Sequence, residues 1–209
     1  MPENEKMETS MDSCTVCGCK GLVDITGCRF SLYPMCDDFI EIILDAVGKT
    51  DTSKVWHATD HTSTVYRGRQ AHVVNCARAA FVNAYRNDVH MAGEFTFSRG
   101  CPGDVDADRF MDTDDIVQNE VSAIGEFKAY AKISFYAFGV SEYMGHICHV
   151  VELAQAKGLN PKSAHYVTMI EGSANGLFDY FDEVLAYSKR HLPHYVLEVT
   201  LSVNSPSMR

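Results

Sequence analysis

The sequence predicts an α+β protein in which one βαββαβ unit occurs twice, and three recurring segments support that prediction. They keep nearly the same register: HTSTVYRG at 61–68 returns as HYVTMIEG at 165–172, HMAGEFTFS at 90–98 as HYVLEVTLS at 194–202, and FSLY at 30–33 as ISFY at 133–136. The first two pairs are 104 residues apart and the third pair is 103 apart. Several matches in one register indicate a tandem duplication, because chance similarity does not recur at one spacing.

Four segments of the first copy have the alternation, and the β-branched and aromatic residues, that favour strands. They are 28–33, 55–59, 62–67 and 89–98, and the last strand of the second copy is expected at 195–203. The two middle segments are short and nearly adjacent, so we expect them to form a hairpin.

One helix is expected after the first strand of each copy and a second helix before the last strand. Asp37 and Asp38 mark the start of the first helix, where carboxylates suit the helix dipole, and Gly48 marks its end. Apolar residues at helical spacing define one face of each helix. For the first helix and its counterpart they are Phe39, Ile40, Ile43, Leu44 and Val47, and Tyr143, Met144, Ile147, Cys148 and Val151. For the second helix and its counterpart they are Val73, Val74, Ala77, Phe81 and Ala84, and Leu177, Phe178, Phe181, Leu185 and Ser188.

This order of elements is the ferredoxin-like arrangement, in which two helices cover one face of a four-stranded antiparallel sheet. We therefore expect tandem ferredoxin-like repeats at 27–103 and 128–209. Residues 104–127 separate them and begin with an acidic stretch, which is typical of a solvated linker. Residues 1–26 lack apolar periodicity and are expected to form a flexible tail that contains cysteines.

The composition excludes several classes of protein. Of 209 residues, 46% are hydrophobic and 22% are charged, which is ordinary for a globular protein and unlike a collagen or a disordered chain. A formal net charge of −10 disfavours nucleic-acid binding, which needs a basic face, and suits a cationic ligand. No apolar run reaches the ~20 residues of a membrane span, and the N-terminus lacks a signal-peptide pattern, so we expect a cytoplasmic protein without membrane insertion.

Strand alternation predicts which side chains point away from the helices, onto the open face of the sheet. They are Ser31, Tyr33, Glu94 and Thr96 in the first copy and Ser134, Tyr136, Glu198 and Thr200 in the second, with Thr64 and Thr168 added from the hairpins. A solvated sheet face would explain polar residues here. Their recurrence in both copies favours a binding site instead. Packing the two open faces together would enclose these groups, and a polar small molecule could supply their hydrogen-bond partners.

Two other groups of residues could bind a metal. Cys14, Cys17 and Cys19 have the close spacing of a zinc or iron–sulfur site, but no second pair of cysteines or histidines follows at zinc-finger spacing. A thiol-bearing tail is the alternative. The segment 142–152 carries acids and histidines at helical spacing, yet it lacks the HExxH order, and a solvated helix face explains it.

Signatures of catalysis are missing from the sequence, which has no GxSxG, GxGxxG or Walker motif. The sequence therefore predicts no enzyme. A ferredoxin-like enzyme acting on a small polar aromatic substrate and a ligand-sensing regulatory module remain the alternatives to a binding protein.

Eight motifs resemble the YkoF-like family of thiamine/hydroxymethylpyrimidine-binding proteins. They are RFSLYPM at 29–35, DDF at 37–39, TDTSKVW at 50–56, TDH at 59–61, STV at 63–65, RG at 67–68, GCPGD at 100–104 and VNSPS at 203–207. The resemblance runs from Gly27 to Ser207, and its motifs are long and specific.

The resemblance implies a homodimer that binds thiamine or its hydroxymethylpyrimidine moiety without catalysis, without a required cofactor, and beside a thiamine-precursor uptake or salvage system with its transporter. The open-face residues are then the ligand-binding residues, because Ser, Thr and Glu match the donors and acceptors of an aminopyrimidine. Tyr33 and Tyr136 can stack on its ring. The second copy has Ala137 in place of Pro34 and Asn160 in place of Trp56, which implies that the two sites differ in affinity.

Overall fold

The computed structural model describes residues 24–99 and 108–208, which form two successive βαββαβ units. The first consists of β1 (Thr26–Pro34), α1 (Phe39–Lys49), β2 (Trp56–Thr59), β3 (Thr64–Gly68), α2 (Gln70–Ala84) and β4 (Met91–Arg99). The second consists of β5 (Lys128–Phe138), α3 (Tyr143–Ala156), β6 (Lys162–Ser163), β7 (Thr168–Ser173), α4 (Ala174–His191) and β8 (His194–Val203). The predicted fold class, tandem ferredoxin-like repeats, is confirmed.

The two copies share one antiparallel sheet of eight strands in the order β2-β3-β1-β4-β8-β5-β7-β6. Strands β4 and β8, the last strand of each copy, pair along 91–98 and 196–203 and join the copies edge to edge. The two open faces therefore lie side by side and do not pack against each other within the chain. This arrangement pairs backbone groups of β4 and β8 that would otherwise be exposed at sheet edges.

Aromatic side chains form a core that is continuous across both copies. The ring of Phe95 on β4 lies 6.0 Å from that of Phe81 on α2 and 5.5 Å from that of Phe178 on α4, measured between centroids. Helices of both copies therefore cover the same face of the sheet. Phe30, Leu32, Phe95 and Phe97 are buried under them, as predicted.

The helices α1 and α3 bury only part of the face that their apolar spacing indicates: Ile43 and Ile147 of that face pack partly against the core. Their buried residues are Ile42 and Ala46 on α1, and Val150 and Ala154 on α3. The larger apolar residues Phe39, Ile40, Leu44, Tyr143 and Met144 are exposed. An alanine on the inner side lets each helix approach the sheet closely. Helix α1 also continues past its predicted end at Gly48 to Lys49.

The acidic segment between the copies is held to the first copy by ion pairs of carboxylates that stay exposed. Lys54 donates to Asp114 at 2.6 Å, and Arg69 donates twice to Asp115 at 2.8 Å. These hydrogen bonds hold the pKa of both carboxyls below its usual value. Composition alone does not show that basic partners lie in the loop before β2 and at the start of α2.

The first copy begins before residue 27, where the tail was expected to end. Ile25 is buried, and Asp24 pairs with Arg99 at 3.4 Å and with Lys189 at 3.5 Å. Residues 24–26 therefore belong to the folded unit. The candidate metal ligands Cys14, Cys17 and Cys19 lie outside the described residues, so that site stays a prediction.

Neither a membrane span nor a metal cluster occurs in the described ranges. None of the helices within 24–99 and 108–208 combines the length and the apolar character needed to cross a bilayer. In the same ranges, no three His, Cys, Asp or Glu side chains are grouped so that they could hold a metal ion. The acids and histidines of α3 include His146, whose Nδ1 lies 2.9 Å from the hydroxyl of Tyr187 on α4.

Burial predicts which cysteine thiols react. Cys28 and Cys76 are buried where α2 packs on β1, and burial raises the pKa of both thiols, that of Cys76 to about 12. Cys148 on α3 is exposed. We expect iodoacetamide to alkylate Cys148 in the folded protein while Cys28 and Cys76 stay unmodified, as mapped by peptide mass spectrometry. All three should react in urea. Equal rates at Cys76 and Cys148 in the folded protein would contradict the packing of α2.

Candidate functional site

Two glutamates and two threonines lie on the open face at the junction of the copies. The register of β4 and β8 places Glu94 opposite Thr200, and Thr96 opposite Glu198. Phe95, between Glu94 and Thr96, is buried on the helix side, whereas both of its neighbours are exposed. The facing predicted for these residues is therefore confirmed. Each threonine lies opposite the glutamate of the other copy, which the sequence did not reveal.

A tyrosine and a serine from the adjacent strand flank each glutamate. In the first copy the hydroxyl of Tyr33 donates to Oε2 of Glu94 at 3.4 Å, and Ser31 is the register partner of Glu94 on β1. The second copy repeats this arrangement with Tyr136 and Glu198 at 3.2 Å and with Ser134 on β5. The structure thus brings together eight of the ten predicted site residues.

Thr64 and Thr168 face the other side of the sheet, so their predicted place on the open face is wrong. Thr64 is the register partner of the buried Phe30, and Thr168 is the register partner of the buried Ile133. Paired residues share a face, so both threonines point to the helix side. Strand alternation was applied correctly within each strand, but the alignment of the hairpin with the first strand depends on pairing that the sequence pattern does not specify.

Two basic residues on the open face were missed. Arg29 is the register partner of Thr96, and Lys132 is the register partner of Thr200. The repeat itself contained the signal, because a basic residue precedes both Phe30 and Ile133. Each basic residue therefore lies on the same row of side chains as one of the two glutamates.

A polar cavity of about 290 Å³ lies on this part of the open face. We call it the seam pocket. Its polar lining consists of Glu94, Thr96, Lys132, Ser134, Glu198 and Thr200. Carboxylate, hydroxyl and ammonium groups together can bind a ligand that carries both hydrogen-bond donors and acceptors.

A second cavity of about 520 Å³ lies between β5, α3 and the loop before β7, and we call it the second-copy cleft. Its aromatic walls are Tyr136, Phe138, Tyr143 and Tyr166, and Met144 lines it from α3. Thr168 lines this cleft, although it does not face the open side. The sequence pattern predicts Tyr143 and Met144 only as part of a helix face. Their exposure in the folded protein is what makes them walls of a cleft.

The second-copy cleft lies where β5 extends beyond its partner β7. Pairing between the two strands stops at Ile133 and Thr168, so residues 134–138 of β5 have no neighbour on that side. The loop turns away there through His165 and Tyr166, which both have positive φ angles (39° and 70°), and the Tyr166 ring is fully exposed.

The corresponding loop of the first copy is tied to β1. Nη1 of Arg29 donates to Asp60 at 2.6 Å and to Ser63 at 2.5 Å, and the Ser31 hydroxyl donates to the carbonyl of Thr62 at 2.8 Å. Hydrogen bonds from Arg29 and from Thr62 hold the pKa of the Asp60 carboxyl well below its usual range. The two copies therefore present different surroundings beside the same polar face.

Comparison with known proteins places this arrangement in a family. The profile described as "Ykof: YKOF-related Family" matches residues 25–104 and 128–208, one stretch for each copy. The curated "Putative HMP/thiamine-binding protein YkoF" of Bacillus subtilis (strain 168) is 41% identical over 191 residues, which are 90% of this chain and 95% of that protein. A crystal structure from Thermotoga maritima described as a "putative thiamine biosynthesis/salvage protein" is 18% identical, covers 37% of this chain and 84% of that chain, and has a TM-score of 0.34. Because the profile matches both copies and the Bacillus relative matches along nearly its whole length, this chain belongs to the YKOF-related family.

Proposed function

We propose that this protein binds thiamine or its hydroxymethylpyrimidine moiety and releases it unchanged. The observation that carries the proposal is that a polar and an aromatic cavity adjoin: the seam pocket and the second-copy cleft share Ser134 and Val167 in their linings. Thiamine joins a polar aminopyrimidine ring to a cationic thiazolium ring, so its two halves differ as the two cavities do. The name of the Bacillus relative supports this class of ligand.

The seam pocket supplies the groups that an aminopyrimidine needs. The ring nitrogens accept hydrogen bonds and the exocyclic amine donates them. In our proposal Glu198 binds this edge in the second copy, sharing a proton with a ring nitrogen or accepting from the amine. Ser134 and Thr96 stand on the same row of side chains and complete the set. Glu94, with Ser31 and Thr200, has the same role in the first copy.

The second-copy cleft suits the cationic half of the ligand. The rings of Tyr136 and Phe138 stack with centroids 6.5 Å apart, and Tyr143 on α3 lines the same cleft. A cation over an aromatic face is attracted to the ring quadrupole, by about 0.5–2 kcal/mol. The formal net charge of −10 favours the approach of a cation as well.

Calorimetric titration with thiamine, hydroxymethylpyrimidine and uracil tests the proposal. We expect heat of binding from thiamine and from hydroxymethylpyrimidine, and none at the same concentrations from uracil, which has no exocyclic amine. Thiamine should bind more tightly than its pyrimidine half, because only thiamine fills the second-copy cleft. Binding of all three with equal affinity, or of none, would contradict the proposal.

A binding role without turnover distinguishes the proposal from the enzyme alternative. Thiamine recovered after prolonged incubation with the protein should be chemically unchanged by mass spectrometry. A product that appears in proportion to protein concentration would support the enzyme instead.

The proposed link to thiamine-precursor uptake or salvage predicts that the gene lies beside one for a transporter.

We further propose that the protein is a homodimer in which a second copy covers the open face. Tyr33 and Tyr136 are 45% and 44% exposed in the single chain, beside the polar groups of the seam pocket. A second sheet laid over this face would enclose the ligand and remove both aromatic rings from water. Light scattering after size-exclusion chromatography should then give twice the mass of one chain.

A further inference from the structure

The loop 60–63 of the first copy is held by two side chains of β1. Arg29, on β1, reaches the loop at Asp60 and at Ser63, and Ser31 reaches it at the Thr62 carbonyl. Within the loop, the Asp60 carboxylate also accepts from the backbone N–H groups of Thr62 and Ser63 at 2.8 and 3.0 Å. The carboxylate therefore shapes the turn and anchors it to the strand at the same time.

The second copy closes its turn with the same backbone hydrogen bond, but it lacks these ties and has positive φ angles at His165 and Tyr166, where the first copy has none. A backbone hydrogen bond of 3.0 Å closes the turn in both copies, from Asp60 to Ser63 and from Ala164 to Val167. The side chains at the two ends of the turn differ between the copies. Ala164 and Val167 stand where the first copy has Asp60 and Ser63, and they cannot accept hydrogen bonds from a basic residue on the strand. Lys132 stands where the first copy has Arg29. The untied loop borders the second-copy cleft.

We infer that Arg29 and Asp60 form a latch that holds the loop of the first copy over β1 and controls ligand entry to that copy. The second copy, which has no counterpart of Asp60, is open from the start. This inference rests on the proposed function, because it assigns the difference between the copies to access to the same ligand. Arg29 and Asp60 act as positioning residues for the loop.

The latch predicts an order of binding. Ligand enters the second copy directly, whereas the first copy binds only in the fraction of molecules whose loop has opened. The apparent dissociation constant of the first copy is its intrinsic constant divided by that fraction. Cutting the latch should therefore tighten binding at the first copy, although it removes hydrogen bonds from the protein.

Two variants cut the latch from opposite ends. Asp60→Asn keeps an acceptor for the Thr62 and Ser63 N–H groups and removes the charge that Arg29 binds, and Arg29→Gln removes the guanidinium charge and shortens the donor. In the free protein we expect both variants to raise hydrogen exchange at 61–63 by about tenfold, as loss of one charge-assisted hydrogen bond implies. The single tryptophan, Trp56, lies on β2, the strand that leads into this loop, and is a fluorescence probe located in the first copy.

The expected result in thiamine titration is a three- to tenfold lower dissociation constant at the first copy in both variants, with the second copy unchanged. Asp179→Asn is the matched control, because it also removes the charge of an exposed carboxylate that pairs with an arginine, here Arg78 on α2, away from this loop. Faster exchange with unchanged or weaker binding at the first copy overturns the inference: the tied loop is then part of the site. Equal hydrogen-exchange rates at 61–63 and 165–167 in the free wild-type protein also overturn the inference, whether or not thiamine binds. Absence of thiamine binding in every variant is instead a failure of the proposed function.

The reverse experiment builds the latch into the second copy. Ala164→Asp combined with Lys132→Arg should slow exchange at 165–167 and weaken thiamine binding at the second copy by three- to tenfold. The neutral pair Ala164→Asn with Lys132→Arg is the matched control, because it has side chains of the same size and lacks only the added carboxylate charge. A double variant with slower exchange and undiminished binding would show that the loop does not control entry.

Discussion

Replacing Glu94 with glutamine is expected to weaken thiamine binding at the first copy by roughly ten- to a hundredfold, while the second copy keeps its affinity. A hydrogen bond to a charged group contributes about 1.5–3 kcal/mol, and glutamine cannot share a proton with a ring nitrogen as a carboxyl can. Glutamine still offers an oxygen to the Tyr33 hydroxyl, so the fold around the site should persist. Calorimetric titration with thiamine, fitted to two sites, measures the change.

The corresponding variant Glu198→Gln should weaken only the second copy. Glu41→Gln, on the exposed surface of α1, is the control and should leave both affinities unchanged. Circular dichroism checks that each variant is folded. If the folded double variant of Glu94 and Glu198 titrates thiamine like the wild type, the seam pocket is not the site.

Truncation of Phe95 to alanine should destabilise the protein by about 3–5 kcal/mol, because a buried phenylalanine leaves a cavity that its neighbours cannot fill. Its ring contacts aromatic rings of both copies, Phe30 at 5.7 Å and Phe178 at 5.5 Å between centroids. One side chain therefore connects the two halves of the core. Urea denaturation measures the loss as a lower transition midpoint.

Leu44→Ala is the matched control for this prediction. Leu44 lies on the side of α1 that the apolar spacing indicated as buried, but it is 67% exposed in the structure. We expect its truncation to change the free energy of unfolding by no more than about 0.5 kcal/mol. A loss at Leu44 comparable to that at Phe95 would mean that α1 packs on its other side.

The difference between Leu44 and Phe95 shows where sequence reasoning about this fold succeeds and where it fails. Phe95 lies in a strand, where side chains alternate strictly between two faces, so one correctly placed residue determines the facing of its neighbours. Helix α1 has apolar residues on three sides, so the helical period does not choose among them. Close packing determines which side of α1 is buried, because the side that bears Ala46 lets the helix come nearest to the sheet.

The candidate site divides in the same way. Ser31, Tyr33, Glu94 and Thr96 could be placed on the open face from alternation and from their recurrence in the second copy. Thr64 could not, because its facing depends on which residue of β1 stands opposite it, and that partner is Phe30. The aromatic walls of the second-copy cleft were also beyond prediction, because Tyr143 and Tyr166 come from a helix and a loop that meet only in the folded chain.

The sequence by itself determined the duplication, the order of elements in each copy and the polar groups of the open face. These features follow from the order of residues along the chain: the strand and helix periods appear within each segment, and the duplication appears as a constant spacing between matching segments. Only the tertiary structure decided that β4 and β8 join the copies into one sheet, that Glu94 faces Thr200 across the junction, and that the loop at Asp60 is tied while its counterpart is open. The physical reason is that these features depend on contacts between residues distant in sequence, whose energies are set by which strand edges and side chains meet.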